Sequence, residues 1–395
     1  MKRKIGWLTT LTLGLLTAFG PFVTDFNLPV MPEMAHYFAT LPALIAMSLT
    51  TGMLGLALGQ VLIGPLSDRY GRKTPLLLSL LLFIMASVGC VFSPTVMLFN
   101  VCRLFQGLGG AGAIVLSKSF ATDWFAGREL QRFMAVLGAI NGVTPVFAPV
   151  IGGTLSEFIS WKGIFVLLLG IGVVLLACSM TLRESLVPER RITTGFGTIY
   201  ANLFRVFRNP RFSYSTVAMM FCGFAFFGYI SSSTFILQKI YGLSPFQFSL
   251  CFGLNAIMIA VGAAVCTLFR HQNTALKWGA IHLVIGSVLV ALCLLFRLPL
   301  FTLMISYIWM LTAFGIMQPA LTAIALDAER DNAGAASAIF GASMFLAGAV
   351  SSPLVSMGQM TVSASVVMVS GMAVCLLMVV PLCREIKEEG RRQQE

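Results

Sequence analysis

The feature that most constrains this chain is the arrival of its apolar residues in blocks of about twenty, separated by short polar breaks. A block of that length, wound into a helix at about 1.5 Å per residue, crosses the roughly 30 Å hydrocarbon core of a bilayer. Twelve blocks can be marked, near residues 6–30, 43–66, 75–92, 95–122, 133–155, 163–182, 213–237, 246–269, 278–296, 300–325, 335–357 and 362–383. Backbone N–H and C=O groups in hydrocarbon must be satisfied internally, so such blocks fold as helices. Only 10% of the 395 residues are charged, against 57% hydrophobic, which is too few to cover a water-soluble surface. The sequence therefore predicts an all-α membrane protein with twelve transmembrane helices.

The net charge of +11 sits in short clusters between apolar blocks, a pattern of membrane loops and not of a nucleic-acid partner. The chain opens on Lys2-Arg3-Lys4, and its first apolar run continues to about Val30. That run is too long for a signal peptide and lacks a small-residue cleavage site, so it reads as a retained first helix. With the N-terminus cytoplasmic, only Lys162, Lys239 and Arg297 of the 26 Lys and Arg fall in outer loops. Arg103 and Lys118 fall within helix 4, and the remaining 21 lie on the inner side. This asymmetry places both termini in the cytoplasm and requires an even number of crossings.

One long polar stretch, Arg183–Arg211, divides the chain into a six-helix bundle (1–182), a cytoplasmic linker (183–211) and a second six-helix bundle with a short tail (212–395). Helices 5 and 11 echo each other, GAINGVTPVFAPVIGG against GASMFLAGAVSSPLVSMG. Repeated bundles with a site near the midplane are the architecture of secondary transporters. Nine cysteines lie in or at the ends of apolar blocks without a CxxC pair, so they read as packing residues, with neither a disulfide framework nor a metal site.

The strongest local pattern is GPLSDRYGRK, Gly64 to Lys73, between helices 2 and 3. Gly64 permits close helix approach and Gly71 a tight turn, while Asp68, Arg69, Arg72 and Lys73 can pair or meet helix dipoles. Helix 4 contains LFNVCRLFQGLGGAG, with Arg103, Gln106 and Gly107. An arginine inside a span costs about 2.5 kcal/mol or more without a partner, so Arg103 reads as a functional group, as a packing device held by backbone carbonyls, or as both. Asp25 is the acidic residue set deepest in a span, about 7–8 Å below the outer end of helix 1, at a depth similar to that of Arg103. The two are candidates for an ion pair or a shared water cluster, and Asp25 for proton exchange; the alternative is an interfacial Asp25. Lys118 reaches an anionic group, tunes Asp25 from a distance, or snorkels to the interface.

Gly64–Lys73 resembles the signature of the major facilitator superfamily, and the Arg103–Gln106–Gly107 run resembles a second motif of that family. The resemblance implies that Asp68 faces the start of helix 11 near Gly334 and that an arginine of the signature reaches Asp123, at the end of helix 4. VTDFNLPVMP around Asp25, with Lys118 and Asp123, is similar to the bicyclomycin-resistance type of drug:proton antiporters. Asn27 stands where those relatives carry an aromatic, and Thr122 where they carry an arginine. Pro145, Pro149, Gly152 and Gly153 on helix 5 resemble the motif of exporters in the superfamily, with Ala148-Pro149 in place of Gly-Pro. In the second half, Phe221, Phe224, Phe226, Phe227 and Tyr229 either line a cavity or pack, Asn255, His282 and Gln318 read as structural polar groups, and Gly315 with Pro319 offers a bend in helix 10.

The resemblance implies a transporter and not an enzyme. By that resemblance it would export small, hydrophobic or cationic compounds against protons, with no cofactor beyond the proton gradient, as a monomer in the bacterial inner membrane. Asp25, Arg103, Asn27, Gln106 and Lys118 would form the proton and substrate site, and Gly64–Lys73 with Asp123 a cytoplasmic gate. Uptake of a small nutrient remains a second reading, and a membrane-embedded sensor or enzyme a third. No HExxH, nucleophile elbow or phosphate-binding loop stands in the chain to favour the third.

Overall fold

The computed structural model describes residues 7–125, 127–191, 196–269, 272–329 and 333–392; Lys2, Arg3, Lys4, Arg270 and Arg330 of the charge pattern lie outside them. Its long helices are α1 (Trp7–Asp25), α2 (Pro42–Tyr70), α3 (Lys73–Phe92), α4 (Val96–Trp124), α5 (Gly127–Leu155) and α6 (Trp161–Met180). The second set is α7 (Pro210–Phe235), α8 (Pro245–Cys266), α9 (Gln272–Leu295), α10 (Leu300–Ala328), α11 (Ala333–Val355) and α12 (Met360–Arg392). Among the described residues eleven of these helices are long and apolar enough to cross a membrane. The twelfth, α5, spans 29 residues and carries its apolar portion over Thr144–Leu155. Large apolar side chains stand exposed along the helices, as at Leu78, Leu81 and Met85 of α3. A water-soluble protein does not expose apolar surface on this scale, whereas a lipid-facing one must.

The first apolar block is not one helix. α1 ends at Asp25, a 3-10 turn follows over Leu28–Val30, and a short helix runs Met31–Tyr37. Pro29 explains the break, because proline lacks a donor and disfavours helical geometry in the residue before it. Asp25 is thus the last residue of α1, and not one more turn inside a continuous span. The signature also differs from the expected loop. Residues 64–70 form the final two turns of α2 and Lys73 opens α3, so the connection is Gly71-Arg72 alone. Gly71 makes so short a turn possible with φ +90°.

The chain forms two compact units, Met1–Ile199 and Tyr200–Glu395. In the first, α4 packs against α1, α2 and α3, α3 against α6, and α1 against α5. In the second, the same pairs recur six helices later: α10 against α7, α8 and α9, α9 against α12, and α7 against α11. Small residues bring backbones together at equivalent crossings: Gly107 of α4 abuts the Gly52 carbonyl of α2, and Gly315 of α10 abuts the Ile259 carbonyl of α8. Without a hydrophobic drive between helices in lipid, such close backbone contact supplies the packing. Helix α10 runs through Pro319 without interruption. All nine cysteines are free thiols.

Candidate functional site

In the first unit the break after α1 is held from two sides. Arg103 is fully buried on α4, where its Nη2 donates to the Val23 carbonyl at 2.9 Å and its Nη1 to Gln106 Oε1 at 2.5 Å. Gln106 passes its own Nε2 on to Ser87 Oγ of α3 at 2.8 Å. The Arg103 guanidinium also lies 5.7 Å from the Phe165 ring centroid, within cation–π range. From the other side Gly152 of α5 rests on the Phe26 carbonyl, so closely that a side chain there would overlap it. Of the helix 5 motif, Gly152 therefore touches the residue next to Asp25, while Pro145 and Pro149 lie inside a helix that stays continuous and Gly153 is buried beside Gly152.

Between these supports sit unpaired polar atoms. Asp25 is 5% exposed and its Oδ1 has no hydrogen-bond partner; Asn27 is fully buried with both Oδ1 and Nδ2 unpartnered. Of the two arrangements expected for Asp25 and Arg103, the direct ion pair is not formed: the Arg103 Nη atoms donate to the Val23 carbonyl and to Gln106, and its Nε has no partner. Arg103 thus shows the carbonyl-bound arrangement left open by the sequence. Lys118 stays apart, exposed on α4 and roughly 22 Å along the helix from Arg103. Two neighbours that the sequence did not single out complete the region. Asn100, one turn before Arg103, donates to the Leu44 carbonyl at 3.1 Å and leaves its Oδ1 unpaired. Glu33 accepts the Trp161 N–H at 3.2 Å, capping α6 where Ser160 does not.

The signature residues form a second cluster at the other end of α4. Arg72 is the hub: its Nε donates to Asp123 at 3.0 Å, and its Nη1 to Asp68 at 2.5 Å and to Ser67 Oγ at 2.7 Å. Burial works against this cation, but the Asp123 bond and the charges of Asp68 and Asp123 outweigh it and raise its pKa above the ordinary guanidinium value. Ser185 donates its hydroxyl to the same Asp123 oxygen at 2.7 Å. Lys73 Nζ bonds the Met180 carbonyl at 2.7 Å, and the Arg69 guanidinium lies 5.8 Å from the Tyr70 ring. Gly64 needs a different reason from the expected one, since a side chain there would meet only Val115 at an ordinary 3.9 Å.

Glu184 was hidden in the sequence among the linker arginines. Its carboxylate accepts the backbone N–H of Arg72 at 2.8 Å, Lys73 at 3.1 Å, Ser185 at 2.9 Å and Leu186 at 3.0 Å. It therefore caps α3, whose own N-cap residue, Arg72, offers no side-chain cap. Burial pushes this carboxyl up, and the four N–H donors more than reverse it, holding it below the usual carboxylate range. In the second unit, Asn255 Nδ2 donates to Tyr229 Oη at 2.9 Å, and His282 lies between the Trp278 and Trp309 rings at 4.9 and 5.6 Å. Both are interhelical or packing contacts. Phe226 stacks on Phe314 at 4.3 Å, and Phe227 and Tyr229 are buried, so these aromatics pack within their unit.

Two repeated six-helix units, a charged two-residue turn at the foot of α2 and an acid at a break in α1 define a helical membrane transporter. The family model of the Major Facilitator Superfamily matches residues 13–352, and the chain belongs to that family. It is 34% identical over 356 residues to the MFS-type transporter YdgK of Bacillus subtilis, covering 88% of each chain. It is 26% identical to a bicyclomycin resistance protein homolog of Haemophilus influenzae, covering 95% of each. Among solved structures it resembles a partially occluded inward-open form of the xylose transporter XylE of E. coli. The TM-score is 0.74 at 15% identity, over 95% of this chain and 97% of that one, a likeness of fold.

Proposed function

We propose that this chain is a proton-coupled antiporter that exports small hydrophobic or cationic drug-like compounds by alternating access. The observation that carries the reading is Asp25, a buried carboxylate at the end of α1 with an unpartnered oxygen, beside an Asn27 that is wholly unpartnered. An ionised carboxylate without a partner is costly in a dry interior, and either a proton or a bound cation relieves that cost. The two then compete for one site, which is the requirement for exchange. Relatedness to a bicyclomycin resistance protein homolog supports export as the direction.

In this reading Asp25 takes the proton, and Asn27 offers a donor and an acceptor to the substrate. Arg103 and Gln106 fix the Val23 carbonyl and so aim Asp25, while Lys118 acts at a separate, inner position. Gly64, Asp68, Arg69, Gly71, Arg72, Lys73 and Asp123 form the gate, and Pro145, Pro149, Gly152 and Gly153 fit α5 against the break. The bundles are residues 1–182 and 212–395, joined by a linker at 183–211. The protein works as a monomer, without a cofactor and driven by the proton gradient, in a bacterial inner membrane with both termini cytoplasmic. Everted vesicles test this directly. Adding a transported compound should dissipate an imposed pH gradient, and Asp25→Asn should abolish the response while the protein still inserts. Undiminished proton-driven efflux by Asp25→Asn would sink the assignment, and substrate uptake down the gradient would reverse the direction.

A further inference from the structure

The second unit begins with a segment whose two faces differ. Leu203 and Val206 are buried, at 5% and 1% exposure, while Phe204 and Phe207 stand 53% and 42% exposed with their rings 6.4 Å apart and nearly parallel. Arg205 and Arg208 are exposed on the same stretch, with no hydrogen-bond or ion-pair partner among the described residues. The segment is fixed to its unit. Asn209 caps α7 by accepting the Arg211 N–H at 3.1 Å and donates its Nδ2 to the Ala328 carbonyl, at the end of α10, at 2.8 Å. Arg211 pairs with Asp327 at 3.1 Å, and Ser213 donates to the Phe207 carbonyl at 2.8 Å.

Two exposed aromatics and two unpaired arginines thus project from a rigid base at the foot of a membrane span. Helix α7 starts at Pro210, so Phe207 lies about 5 Å along the chain from it. That position coincides with the interfacial belt, where aromatic rings take the headgroup level and juxtamembrane cations meet anionic lipid. The planar guanidinium suits a phosphodiester, which it can bind in a bidentate manner. We propose that Phe204, Arg205, Phe207 and Arg208 form a binding site for an anionic phospholipid of the adjoining leaflet. The arginines take the headgroup phosphate and the paired rings cover the glycerol and upper acyl region. The bilayer is taken as the occupant because α7, which begins three residues later, is one of the helices long and apolar enough to cross it.

The test reconstitutes the full-length protein in vesicles of phosphatidylethanolamine containing a minor fraction of phosphatidylglycerol. Retained lipid is then counted by native mass spectrometry after detergent extraction. The wild type should retain phosphatidylglycerol over phosphatidylethanolamine, and Arg205→Gln/Arg208→Gln should lower that preference roughly 30-fold, from two cations near the surface. Phe204→Ala/Phe207→Ala should shorten retention of both lipids, and Lys239→Gln, in the π-helical turn Ile236–Ile240 that continues α7, should change nothing. All variants lie at exposed positions, and monodispersity on gel filtration verifies their fold. Equal retention by wild type and the double arginine variant would overturn the proposal. So would displacement of the lipid by millimolar glycerophosphoglycerol, which would show a site for soluble phosphodiesters.

Discussion

The contact between α5 and the break in α1 is tested by a single methyl group. In Gly152→Ala the new Cβ would overlap the Phe26 carbonyl oxygen and lie 3.2 Å from its carbon and 3.6 Å from the Phe26 ring. The obstruction is mostly backbone, which no rotamer change relieves, so α5 must move away from the turn that follows Asp25. Overpacking of this kind costs about 1–3 kcal/mol. For a unit of this size each kcal/mol lowers the midpoint by roughly 2–4 °C, so the expected fall is about 2–12 °C. Thermal unfolding of the detergent-solubilised protein, followed by tryptophan fluorescence, measures it. Gly170→Ala on α6 serves as the control, because nothing lies within 4 Å of its added Cβ, and it should leave the midpoint in place or raise it slightly. If Gly152→Ala melts with Gly170→Ala, then the approach of α5 to Phe26 does not exist and the support assigned to the helix 5 motif falls with it.

Arg103→Lys should destabilise the first unit by about 1–3 kcal/mol, because a single, shorter-reaching ammonium nitrogen does not reproduce the planar fork whose two Nη atoms serve the Val23 carbonyl and Gln106, and one buried acceptor is left bare. A melting midpoint equal to wild type would refute that division of bonds. Glu184 makes the gate region sensitive to acid. Its pKa lies below 4.5 in the folded state, so its stabilising effect is complete above about pH 4.5 and is lost as the pH falls through the lower folded value. Melting curves between pH 3 and 6 should show this loss in the wild type, and Glu184→Gln should flatten it. An unchanged pH profile in Glu184→Gln would remove the carboxylate from the capping role.

Residues of the candidate site could be named from motifs in the sequence, but their geometry could not be read there. That an arginine of Gly64–Lys73 meets Asp123 was implied by the family resemblance, and the structure identifies that arginine as Arg72. Glu184 and Ser185 escaped notice because a carboxylate that binds backbone N–H groups needs no sequence partner, and Glu184 sits among arginines that mask it. Asp25 and Arg103 matched in depth, but depth is one coordinate of three. Which of its possible acceptors Arg103 takes depends on which carbonyl lies opposite its helix face, and that proved to be Val23.

Helix number, length and the charge asymmetry were therefore properties of the sequence alone. Each follows from the cost of placing a polar residue or an unpaired backbone group in hydrocarbon, which is decided locally, residue by residue. The break at Leu28–Val30, the seat of Gly152 on Phe26 and the capping of α3 by Glu184 were decided by tertiary structure. In those places the choice lies among several satisfied arrangements of nearly equal local energy, and only the packing of one helix against another selects between them.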